Sequence, residues 1–73
     1  MKYEIRDIAE YIIVMIGEFA KKFNLTENQA FRYLKFHQGI SFLQDHYEII
    51  HTLDFKEALE SVTLYCRNSG GKL

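Results

Sequence analysis

The sequence predicts an all-α fold: a small compact bundle of four helices, one long and N-terminal, three shorter. Two observations carry that expectation. Apolar residues recur at three- and four-residue steps from Ile5 to Phe23, which is five turns of one amphipathic helix. Cap residues then open two later segments, glycines stand at the breaks, and the 73 residues include no proline.

The first helix is expected from about Tyr3 to Phe23. Its apolar stripe comprises Ile5, Ile8, Ala9, Ile12, Ile13, Ile16, Phe19, Ala20 and Phe23. Glu4, Asp7 and Glu10 lie toward its start, Lys21 and Lys22 at its end, as the helix dipole favours. Gly17 inside it costs about 1 kcal/mol relative to alanine, which a close approach by another helix would explain.

Asn24-Leu25-Thr26 stops the first helix and starts the second. Thr26 and Gln29 read as a capping box. The second helix runs from Glu27 to about His37, with Ala30, Phe31 and Leu34 as inner stripe, widened by Tyr33 and Phe36. Gly39 is placed to end it as the C′ residue. A short third helix spans Ile40 to His46, with Phe42 and Leu43 inward. Asp54 reads as the N-cap of the fourth, with Glu57 at N3. That helix carries Phe55, Ala58, Leu59, Val62, Tyr65 and Cys66 on one face. Asn68-Ser69-Gly70-Gly71 terminates it, and the tail from about 68 is expected to fray. Residues 1–73 thus form one domain.

Between the third and fourth helices lies His46-Tyr47-Glu48-Ile49-Ile50-His51-Thr52. Its two histidines are five apart, about 140° around a helix, whereas a helical metal pair needs a spacing of three or four. The stretch reads as a structural junction. Tyr47, Ile49 and Ile50 enter the core, and His51 and Thr52 hydrogen-bond to orphan backbone groups. Cys66 lies on an apolar stripe, where a free thiol behaves as a small hydrophobe. No Gly-rich phosphate loop or nucleophile elbow is present. No catalytic, cofactor-binding or metal-ligating residue is assigned, and no enzyme is expected.

Composition narrows the remaining classes. Nine basic and ten acidic residues leave a formal net charge of −1, without the basic excess that phosphate-driven binding needs. Helices two and three suggest a helix–turn–helix, so a small DNA-binding regulator is the alternative reading. Its recognition helix, Ile40 to Glu48, carries two acids and no Lys or Arg, which makes nucleic acid a poor partner. The N-terminus has no signal-peptide pattern, and no apolar run approaches the roughly twenty residues of a membrane span. With a single cysteine, the expected location is the cytoplasm. Tyr11, Val14 and Met15 lie off the main stripe, so Tyr11 to Ile16 is apolar all round. Either helices two and four wrap the first helix completely, or Tyr11, Val14 and Met15 meet a protein partner or a second copy.

The chain resembles a family of small bacterial proteins of unknown function. The resemblance runs through Asn24-Leu25-Thr26, Ala30 to Leu34, Gly39-Ile40, Phe42-Leu43 and His46 to Thr52. It is most specific around Tyr47, His51 and Thr52. Members are often encoded beside a toxin-like protein resembling an ADP-ribosyltransferase. The resemblance therefore implies a toxin-associated or antitoxin-like accessory role, with a protein partner, and supplies no catalytic residues.

Overall fold

The computed structural model describes residues 3–73. Five helices follow one another: α1 (Ile5–Phe23), α2 (Glu27–Phe36), α3 (Gly39–Asp45), α4 (Tyr47–Ile50) and α5 (Phe55–Asn68). The described residues contain no strand. The four expected helices are α1, α2, α3 and α5. The element beyond them, α4, is a single turn within the junction.

Local chemistry sets the boundaries. Asn24 leaves α1 in the left-handed conformation at φ 56°, a region asparagine tolerates well. Both halves of the α2 capping box form: Gln29 N–H donates to Thr26 Oγ1 at 3.0 Å, and Thr26 N–H to Gln29 Oε1 at 2.9 Å. Asp54 Oδ1 accepts from Glu57 N–H at 2.8 Å and opens α5. The α2–α3 turn departs from expectation. Gln38, at φ 67°, takes the left-handed position, and Gly39 is already the first residue of α3. Gly39 is required for a different reason. A Cβ there would lie 2.8 Å from Cys66 Sγ and 2.9 Å from Leu34 Cδ2, so glycine lets α3 touch α5 and α2.

The core gathers on one side of α1. Met15, Phe19 and Ala20 bury against Ala30 and Leu34 of α2, Leu43 of α3, Ile50 of α4, and Ala58, Leu59, Val62 and Cys66 of α5. Fully burying side chains such as Phe19 or Leu34 is worth about 1.5–3 kcal/mol each. Tyr33 stacks on Phe19 with centroids 5.5 Å apart, and Tyr65 on Phe42 at 4.6 Å.

Several residues stand elsewhere than their spacing suggested. Met15 is buried at 1% exposure, so it is core and not interface. Ile5 and Ile13, on the expected inner stripe, are 79% and 66% exposed. Steps of four place Tyr11, Met15 and Phe19 along one ridge of α1, and the other helices pack on that ridge. Ile5 and Ile13 are rotated away from it, while Ile12 and Ile16 stay half-buried against the core. Phe36 is likewise largely exposed, and Phe31, Phe55 and Tyr65 are partly so. Ile49 is 69% exposed while Tyr47 and Ile50 are buried, because in a helical turn residues three apart share a face and the residue between them points away.

The tail folds back onto the helices. Beyond α5, Gly71 N–H donates to Cys66 O at 2.8 Å, and Leu73 N–H donates to the Tyr33 hydroxyl at 3.1 Å. Leu73 is half-buried against the core, and Arg67 Nε donates to its carbonyl oxygen. A Cβ on Gly71 would collide with the Tyr33 ring and hydroxyl. Glycine admits this docking.

Gly17 and Gly39 should therefore respond oppositely to alanine. A Cβ at Gly17 would meet only Glu27 Oε2 at 3.5 Å, an ordinary contact, so no helix uses the space. Gly17→Ala should stabilise the protein by about 0.5–1 kcal/mol through helix propensity. Gly39→Ala should destabilise it by about 1–3 kcal/mol through overpacking. Urea denaturation followed by circular dichroism measures both, and a stabilised Gly39→Ala would refute the close-packing account.

Candidate functional site

α1 is longer than the helices available to cover it. Its 19 residues extend about 28 Å, whereas the 10 of α2 reach about 15 Å at 1.5 Å per residue. The isoleucine side of α1 is left open along its N-terminal half. There Ile5, Ile8, Ala9, Ile12, Ile13 and Ile16 floor an open groove of about 600 Å³, with Phe31 of α2 and Gln44 and Asp45 of α3 on its lip. Its polar complement is one amide and one carboxylate, both on the α3 side. This is a surface suited to seating apolar side chains.

The sequence-derived interface lies beside this groove and not within it. Of Tyr11, Val14 and Met15, only Val14 is mainly solvent-facing. Tyr11 turns toward α4, donating from its hydroxyl to Ile50 O at 3.3 Å. Ile5, Ile13 and Phe31, which their spacing points toward the core, form the outward apolar face. The usable signal was length: a nineteen-residue stripe followed by two much shorter helices.

The junction forms a second cluster. Tyr47 lies against Tyr3, Tyr11 and His51, with ring centroids 5.1, 5.4 and 4.4 Å away, and the His51 ring is nearly parallel to it. Nδ1–H of His51 donates to Tyr47 O at 2.6 Å, which fixes that tautomer because a carbonyl only accepts. Thr52 Oγ1 donates to Ile49 O at 2.6 Å. The expectation of orphaned groups is not met: Tyr47 O already accepts from His51 N–H and Ile49 O from Thr52 N–H, so each side chain adds a second bond to a carbonyl at the end of α4. Burial raises the Tyr47 hydroxyl pKa, and the Asp7 carboxylate and Tyr3 add to the shift. Burial also raises that of Tyr11, with Tyr47 adding to it.

Cys66 sits against Gly39 and Leu34. Burial pushes its pKa up to about 11. At neutral pH it is a thiol and not the thiolate a nucleophile needs. Among the described residues no three His, Cys, Asp or Glu side chains converge closely enough to hold a metal ion. The outward face of α3 presents Ser41, Gln44 and Asp45. No helix of the described residues is long and apolar enough to cross a membrane.

Two outcomes follow from this geometry. His51→Ala removes one hydrogen bond, about 1 kcal/mol, and a ring stack worth about 0.5–1.5 kcal/mol. The melting temperature should drop by several degrees, and a chelator should leave the wild-type curve unchanged. A melt that shifts on chelation would contradict the junction's structural role. The second outcome concerns alkaline pH. The folded state keeps the Cys66 proton that the unfolded chain releases near pH 9.0. Stability is thus complete below about pH 9 and declines as pH climbs toward 11. Thermal melts across that window should show the decline, and Cys66→Ala should make it shallower.

Comparison with known proteins places the chain without assigning it a chemistry. No curated protein and no solved structure gives a significant match. Residues 3–69 match the family described as Protein of unknown function (DUF3791). That span holds α1 through α5, the groove and the Tyr47–His51 cluster, and the chain belongs to this family.

Proposed function

We propose that this protein is a non-enzymatic protein-interaction module that works by seating another polypeptide in the α1 groove. The exposed isoleucine floor carries the reading. Contiguous apolar surface on a small domain marks a contact site more often than chance placement, and here it is concave and rimmed by polar side chains. A ridged groove about three turns long accepts an amphipathic helix, which presents apolar residues at matching three- and four-residue steps.

The biological setting we infer is a toxin-associated or antitoxin-like accessory role in the cytoplasm. Its support is the family resemblance and the toxin-like neighbours it implies. The occupant of the groove is then a toxin-like protein or a second copy of this chain. The DNA-binding alternative has less behind it. The outward face of α3 holds no cation, whereas phosphate contacts need Lys or Arg.

Ile13→Glu tests the reading. Ile13 is mostly solvent-exposed, so a charge there should change folding stability by less than about 0.5 kcal/mol while disrupting anything seated in the groove. Wild-type and Ile13→Glu baits would be retrieved from the native host through a high-salt wash, and their self-association measured by light scattering. A stoichiometric foreign chain or self-association, present for wild type and lost for the variant, is expected. Equal behaviour of the two baits would remove the groove from the function.

A further inference from the structure

We infer that the groove seats α1 of a second copy of this chain, the two helices running parallel about a two-fold axis. The inference rests on the groove being a protein interface and names its occupant. It starts from the spacing of the floor. Ile5, Ala9, Ile12 and Ile16 succeed one another at steps of four, three and four, the seam by which one helix packs on an identical helix. The small Ala9 at its centre lets two backbones come close.

Charge fixes the direction. Asp45 lines the groove two residues before Tyr47, whose ring packs on Tyr3 and Tyr11, so it stands toward the N-terminal end of α1 where Arg6 lies. Arg6 follows Ile5 by about 100° and is exposed on the opposite flank of α1, beyond Ile13. Among the described residues neither Arg6 nor Asp45 has an ion-pair partner, since the one salt bridge joins Lys21 and Glu18. In a parallel two-fold pair, equal levels face each other and opposite flanks meet. Arg6 of each copy then faces Asp45 of the other, twice. An antiparallel pair joins like flanks instead, so Arg6 meets the Arg6 flank of the other helix and gains no such partner.

The shape agrees. Each groove has its α3 wall on one side only, and a parallel two-fold sets the two walls diagonally, so each α1 enters the groove of the other. A standard interface takes about 800 Å² per protomer from a total surface of 5071 Å². The seam together with exposed Ile5, Ile13 and Phe31 offers apolar area in one continuous face.

The test uses engineered thiols and a charge swap on the full chain. Cys66 is buried and its thiol pKa is pushed up to about 11, so an introduced cysteine is the reactive one. Under mild oxidation Ala9→Cys should form an inter-copy disulfide. Val14→Cys, about 140° around the helix from the seam, should not. Sedimentation across the micromolar range should show a dimer. Arg6→Asp should weaken it at least about fivefold, and adding Asp45→Arg to that variant should restore it. Circular dichroism verifies that each variant folds. A wild-type monomer throughout this range overturns the inference, as does a dimer that Ala9→Cys cannot cross-link or that ignores Arg6→Asp. A monomer that still retains a foreign chain through Ile13 would refute only the second-copy occupant. A monomer that retains nothing would end both readings.

Discussion

The ridge of Tyr11, Met15 and Phe19 is the surface on which the remaining helices assemble. Phe19 receives α2 through Tyr33, Met15 lies at the centre of the buried set, and Tyr11 reaches α4 through Tyr47 and the carbonyl of Ile50. Once the short helices are committed to that ridge, none is left for the isoleucines alongside it. The groove follows from this geometry. A helix with two apolar arcs and one set of short partners must leave one arc open.

The junction after α3 works by a different economy. A chain this short cannot surround every connection with apolar side chains. The turn from α4 to α5 is closed by polar groups already present in the segment: the His51 ring, the Thr52 hydroxyl and the Asp54 carboxylate each take a backbone group within a few residues of themselves. Tyr47 then fastens this locally satisfied turn to α1 through ring contacts. Of the two histidines that look like chemistry in the sequence, His51 is occupied with backbone and the His46 ring tilts against Phe42. Bound to the Tyr47 carbonyl, Nδ1 of His51 is not available as a ligand.

What could be read in advance was what is decided locally. The caps at Thr26 and Asp54 depend on residues three positions away, and both form as their spacing implies. The choice of face on α1 is not local. Periodicity revealed apolar residues around the whole of Tyr11 to Ile16, but which arc becomes core depends on where α2 and α5 dock. Glycine was ambiguous for a related reason. It serves either a positive φ or a close approach, and sequence does not separate the two. The position of Gly39 suggests the first and the packing requires the second, while Gln38 supplies the left-handed residue. Gly17 suggests a close approach, and only the Glu27 side chain comes near it, at ordinary contact distance. The docked tail was hidden because its anchor, Tyr33, is 40 positions from Leu73.

The position of Cys66 has one more consequence. Its sulfur fills the space between α5 and the first residue of α3, where Gly39 leaves no clearance. A labelling reagent reaches it only when the packing around it opens, so the native thiol is a built-in clock for that motion. The rate at which it is modified, set against the rate for the unfolded chain, converts to the free energy of local opening. If α3 lifts alone, that energy lies below the global stability. If the core opens only as a unit, the two coincide. The protein thus carries its own probe of whether the α3 lip of the groove is a rigid wall or a moving one.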